Sequence, residues 1–200
     1  MRRRRRRVGR ALGLAGAALG LAAITGSVRG RELDERLYKQ MNTNLEHPAL
    51  DRLLSEVTEL GSLYASLGAG AVLATSGSRR AAARAVGAAA SMWALGQALK
   101  RAYRRTRPFD STAPGRLLIG KPRGTSWPSS HPAVFLTFAL VAARRLDLPG
   151  PARSALVALA GAVGLSRVYL GVHYPSDVAG GLLLGRAMAD VWTAPDPDVR

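Results

Sequence analysis

The 200-residue chain contains no cysteine. That excludes a disulfide framework, a thiol nucleophile and cysteine-ligated zinc. Histidines number three and lie far apart, so a histidine-only metal site is not expected, and neither is any cofactor. Aromatic residues make up 6% of the chain, too few for a platform of stacked bases. Acidic residues are scarce too: 13 Asp and Glu stand against 29 Lys and Arg, a formal charge of +16. In a soluble protein a pI of about 11.6 would suggest nucleic acid. Here 48% of the residues are hydrophobic and they fall in blocks. Basic residues bordering apolar blocks instead predict a membrane protein with cytosolic and phosphate-facing cations, and no nucleic-acid partner.

What is present begins with an unbroken basic run, Arg2 to Arg7, ahead of an apolar stretch from Ala11 to Val28. That stretch would cover about 27 Å as a helix, close to the roughly 30 Å hydrocarbon core. It fits a transmembrane anchor with its Arg tail inside, or a secretory signal peptide. No convincing small-x-small cleavage site follows and the stretch is long for a signal core, so the anchor is preferred. From Gly30 to Glu59 the chain is charged and amphipathic, with Leu33, Leu37 and Met41 at four-residue spacing and a helix start at His47-Pro48. This segment is expected to lie along the membrane surface or to pack on the bundle.

Further apolar runs cover Leu60–Ser76, Ala81–Leu99, Pro132–Ala143, Ser154–Leu165 and Val178–Trp192. Their abundant Gly and Ala suit close helix contact in lipid. The expected fold is therefore all-α: a polytopic integral membrane helical bundle of about six transmembrane helices plus an amphipathic surface helix. The expected organisation is a basic tail and first anchor over 1–29, an amphipathic interfacial segment over 30–59, a helical core over 60–193 and a disordered tail over 194–200. The sequence sets no oligomeric state.

Three polar clusters border these runs. Lys100 and Arg107-Pro108 are seven apart, which on a helix returns to nearly the same face after two turns. Pro128-Ser129-Ser130-His131 opens the fourth run, where hydroxyls and free helix-start N–H groups favour an anion. Ser166-Arg167 and His173-Tyr174-Pro175-Ser176-Asp177 join the fifth run to the sixth. There, Ser176 could cap a helix whose first turn holds Asp177. Asp177 can take a proton from one imidazole nitrogen of His173 and leave the other as nucleophile, while Arg167 offers a fork of donors to phosphate. Each cluster alone reads as well as a helix-end ion pair, a capping serine or a basic helix terminus. Alternation of spans places all three at one face, and together they describe phosphoryl transfer without a metal.

The three clusters, in this order and spacing, resemble the signature of the type 2 phosphatidic acid phosphatase superfamily, over roughly Pro48 to Trp192. That superfamily includes membrane lipid phosphatases, bacterial acid phosphatases and vanadium haloperoxidases. The resemblance implies a helical core and hydrolysis of a phosphomonoester or diphosphate with no metal. It implies His173 as nucleophile forming a phosphohistidine, Asp177 orienting it, and His131 as the acid for the leaving oxygen. Lys100, Arg107, Ser129, Ser130 and Arg167 would hold the phosphoryl oxygens. The family pattern usually has Gly where this chain has Ser130; a serine serves if its φ is negative, so activity is expected to be retained.

With the Arg run inside, three spans before Lys100 put the site on the outer face of the plasma or inner membrane, and the turns at Arg79-Arg80 and Arg144-Arg145 inside. The basic residues between Lys100 and His131 oppose that placement by simple counting. A site at the bilayer border favours a lipid phosphate as substrate: a polyprenyl phosphate or diphosphate, phosphatidic acid, or phosphatidylglycerol phosphate. The alternative is a non-catalytic protein that binds or transports lipid phosphates.

Overall fold

The computed structural model describes residues 2–111 and 115–194. Among them are eight α-helices and one short 3-10 turn, and no strand. The helices are α1 (Arg2–Gly26), α2 (Val28–Asn42), α3 (Pro48–Glu59), α4 (Leu63–Thr75), α5 (Arg79–Tyr103), α6 (Ser130–Arg145), α7 (Gly150–Tyr169) and α8 (Pro175–Trp192). The six apolar runs fall on α1 and α4 to α8, and the amphipathic segment forms the two helices α2 and α3. Of the tail expected over 194–200, all but Ala194 lies outside the described residues.

Local chemistry sets the boundaries. Ser27 and Ser62 cap α2 and α4 by accepting the N–H groups of Gly30 and Ala65. His47 Nδ1 accepts the Ala49 N–H, and Pro48 follows as the first residue of α3. Ser176 does not cap α8. The cap is Tyr174, with Pro175 and Ser176 inside the first turn, because the Asp177 carboxylate returns to accept the Tyr174 N–H at 2.9 Å.

α6 is the centre of the bundle, with eleven of its residues buried between α5, α7 and α8. Close approach of α6 and α8 depends on Gly185, where a Cβ would stand 2.6 Å from the Ala133 carbonyl oxygen. α1 lies along α8, tied by the Arg10 guanidinium, which donates twice to the buried Asp190 at 2.6 Å. Arg144 at the end of α6 donates to the same carboxylate at 3.1 Å.

By length and composition, one described helix, over Arg4–Gly26, is apolar enough to cross a membrane; α3 and α4, bent by 61° at their junction, meet that test only as a pair. Large apolar side chains nevertheless cover the outside, including Leu12, Ile24, Leu33, Tyr64 and Val72, all more than half exposed. On α2 the polarity is turned inside out. Leu33 and Leu37 face outward, while Asp34, Tyr38 and Asn42, one helical turn apart from each other, are buried against the bundle.

Candidate active site

α5 ends at Tyr103, and Arg104 adopts a left-handed φ of 44° that turns the chain away. Arg107 therefore does not share a helix face with Lys100. It sits on extended backbone before the Pro108–Asp110 turn and reaches the same place from a loop. Lys100 is buried in the last turn of α5, where its Nζ donates to the carbonyls of Thr125 at 2.8 Å and Ser126 at 3.1 Å. Arg107 is also buried. Its Nε donates to the Gly124 carbonyl and its Nη1 to the Val172 carbonyl, both at 2.9 Å. These bonds fix both cations to the 121–126 loop.

Arg167 lies in the last turn of α7, where Nη1 donates to Thr58 Oγ1 at 2.8 Å. After it the chain must reverse, and it does so at Gly171, with a φ of 85°. A Cβ there would fall 1.9 Å from the Arg116 carbonyl oxygen, so only glycine fits. The reversal presents His173 between α7 and α8. Its Nδ1 lies 3.4 Å from Asp177 Oδ2 and 3.5 Å from Ser126 Oγ, and its Nε2 lies 3.3 Å from Arg107 Nη1. Burial, reinforced by Lys100, Arg107 and Arg167, holds the His173 pKa well below its ordinary value, so the imidazole is neutral.

A pocket of about 390 Å³ is lined by Lys100, Arg107, Ser130, His131, Arg167 and His173, together with the α3–α4 junction and Trp93 and Gln97 of α5. The three clusters thus meet in one cavity. Asp177 is fully buried beside His173. Ser129 does not line the cavity; its N–H donates to the Asp177 carbonyl at 3.0 Å. Ser130 opens α6 with an ordinary negative φ, and Gly96 faces its hydroxyl: a Cβ at Gly96 would lie 3.2 Å from Ser130 Oγ. That space accommodates a serine where the family pattern has glycine.

Arg167 Nε and Ser130 Oγ are buried without a hydrogen-bond partner. A buried donor left unpaired costs about 1–3 kcal/mol, and an oxyanion in the cavity would supply the acceptors. Among the described residues no three His, Asp or Glu side chains come together as a metal site.

Sequence reasoning missed three members of the site. Ser126 donates a short hydrogen bond to Asp177 Oδ2. Arg105, inside the Lys100–Arg107 interval, donates to Asp177 Oδ1 at 2.8 Å and to Asp34 Oδ2 at 2.6 Å. Asp34, on α2, was hidden in a segment whose leucines drew the reading to the membrane surface. The repeat of Asp34, Tyr38 and Asn42 at four-residue spacing was the available signal.

An all-helical bundle with an oxyanion pocket of three fixed cations and two histidines defines an anion-binding or phosphoryl-transfer protein. The chain belongs to the PAP2 superfamily, whose family model matches residues 81–196. It is 37% identical over 98 residues to decaprenylphosphoryl-5-phosphoribose phosphatase of Mycobacterium tuberculosis, covering 49% of this chain and 51% of that protein. It is 39% identical over 93 residues to undecaprenyl-diphosphatase of Sulfolobus acidocaldarius, covering 46% and 43%. The matches thus span about half the length of these relatives. The fold is shared with a transmembrane PAP2-type phosphatidylglycerolphosphate phosphatase of Bacillus subtilis, with a TM-score of 0.76 and 24% identity over 90% of this chain and 92% of that one.

Proposed function

We propose that this protein is an integral membrane phosphatase that hydrolyses the phosphate or diphosphate of a lipid through a phosphohistidine on His173. The observation that carries the proposal is the cavity itself, with Lys100, Arg107 and Arg167 around His131 and His173 and two buried donors awaiting an acceptor. Neutral His173, with Nδ1 toward Asp177, attacks phosphorus through Nε2. The bond to the leaving oxygen breaks, and that oxygen takes a proton from His131. A water that gives its proton to His131 then attacks the phosphohistidine, releasing inorganic phosphate and restoring Nε2. Lys100, Arg107, Arg167 and the Ser130 hydroxyl offset the charge on the equatorial oxygens. Ser129 acts through its backbone, holding the start of α6 against Asp177.

The relatives named for decaprenyl and undecaprenyl substrates support a polyprenyl phosphate or diphosphate. The apolar exterior supports a lipid substrate whose tail stays in the bilayer. Placement on the outer face is supported by the two ends of α8: Arg7 and Arg10 pair at its C-terminal end, whereas Asp177 lies at its start. The Arg run and the site are thus at opposite ends of the bundle, and a basic run is retained inside.

The test is phosphate release from polyprenyl phosphate, polyprenyl diphosphate and phosphatidic acid in detergent, with His173→Ala as control. The expected result is turnover that falls by at least about a thousandfold in the variant. Activity surviving the substitution would remove the mechanism, and headgroup binding with no release would favour a transport role.

A further inference from the structure

The network behind His173 extends beyond the family-matched region to α2. Asp34 is buried, with 5% of its side chain exposed, and accepts hydrogen bonds from Ser176 at the start of α8 and from Arg105 just beyond α5. Its Oδ1 accepts the Ser176 N–H at 3.0 Å. Its Oδ2 accepts the Ser176 hydroxyl in a short hydrogen bond and the Arg105 guanidinium at 2.6 Å. Arg105 in turn donates to Asp177 Oδ1 at 2.8 Å and to Ser176 Oγ at 2.7 Å, and its guanidinium carbon stands 4.4 Å from the centre of the Tyr174 ring.

We propose that Asp34 and Arg105 are positioning residues for the reaction, holding and charging the Asp177 carboxylate so that it supports His173 as the nucleophile. The proposal rests on the phosphatase reading above. Two effects combine. Arg105 occupies Oδ1, which leaves Oδ2 for the His173 side of the carboxylate. A lone Arg105 would also neutralise Asp177 and weaken its pull on the imidazole as a bond to phosphorus makes the ring cationic. Asp34 offsets Arg105, so the three groups together keep one net negative charge behind His173. Asp34 also accepts an N–H of the first turn of α8, the turn that carries Asp177. A helix outside the residues that match the family, 81–196, thereby completes the site.

The charge matters most once the nitrogen–phosphorus bond forms, so removing it should spare ground-state binding. Asp34→Asn keeps the size and one acceptor but removes the charge. Its kcat should fall at least about tenfold with KM within about twofold. Affinity for orthovanadate, which takes up the five-coordinate geometry through His173, should weaken by a similar factor while affinity for inorganic phosphate holds. The vanadate measurement needs no turnover, so it reports on this network even if no lipid phosphate is hydrolysed; loss of the reading itself would show as wild-type enzyme without activity on any substrate. In an Arg105→Gln background, Asp34→Asn should not lower kcat further, because the second substitution returns the group behind His173 to one net negative charge. If Asp34→Asn does not fold, Arg105→Lys carries the test: its single ammonium cannot bridge both carboxylates, and kcat and vanadate affinity should fall together. Variants that keep kcat and vanadate affinity within about twofold of the parent, or that weaken vanadate and phosphate equally, would overturn the proposal.

Discussion

In the proposed reaction His173 and His131 have opposite proton demands: the first offers a lone pair and the second a proton. Burial and the neighbouring cations keep His173 neutral in the resting site. A lowered pKa means that protonation disables this nucleophile only at more acidic pH. The acid limb of kcat/KM that His173 sets should therefore lie below the ordinary histidine value of about 6.5. A limb centred at or above that value would show that His173 carries a proton at rest. That Lys100, Arg107, His131, Arg167, His173 and Asp177 gather at one place was legible because each is a costly residue beside an apolar run. Arg105 was not legible. It stands among Arg101, Arg104 and Arg107, and only the left-handed turn at Arg104 decides which guanidinium goes inward; Arg101 and Arg104 are exposed.

At the scale of elements, the helix positions followed from apolar runs and caps, but the expected shared helix face of Lys100 and Arg107 did not survive tertiary contacts. Lys100 and Arg107 meet at the pocket, yet not by helical periodicity, since α5 stops before the second of them. The carbonyls of the 121–126 loop and of Val172 choose Arg107's place, and such long-range acceptors leave no trace in spacing. α2 follows the opposite pattern from a helix docked by its leucines. Its polar face is the buried one, where Asn42 donates to the carbonyls of Arg116 and Tyr169 at 2.9 and 2.7 Å and accepts the Arg116 N–H at 2.7 Å. An inward polar stripe with outward leucines suits a helix that packs on the bundle through its polar face.

For the whole molecule, the proposed orientation follows from separation along the bundle axis. The far end gathers Arg7, Arg10 and Arg144 around Asp190 and Thr193, while the other end holds the pocket. A reporter fused after Asp110, in the loop at the pocket end, should give an outside-type signal in cells; a cytoplasmic-type signal would reverse the placement and make the basic 100–131 segment the true inside loop.

The proposed mechanism turns on one covalent event. A polyprenyl diphosphate labelled in its terminal phosphate, mixed with the enzyme, quenched within milliseconds and digested under alkaline conditions, should yield a single labelled peptide bearing phosphate on the His173 imidazole. Label on His131, on a serine or on no residue during active turnover would contradict the account.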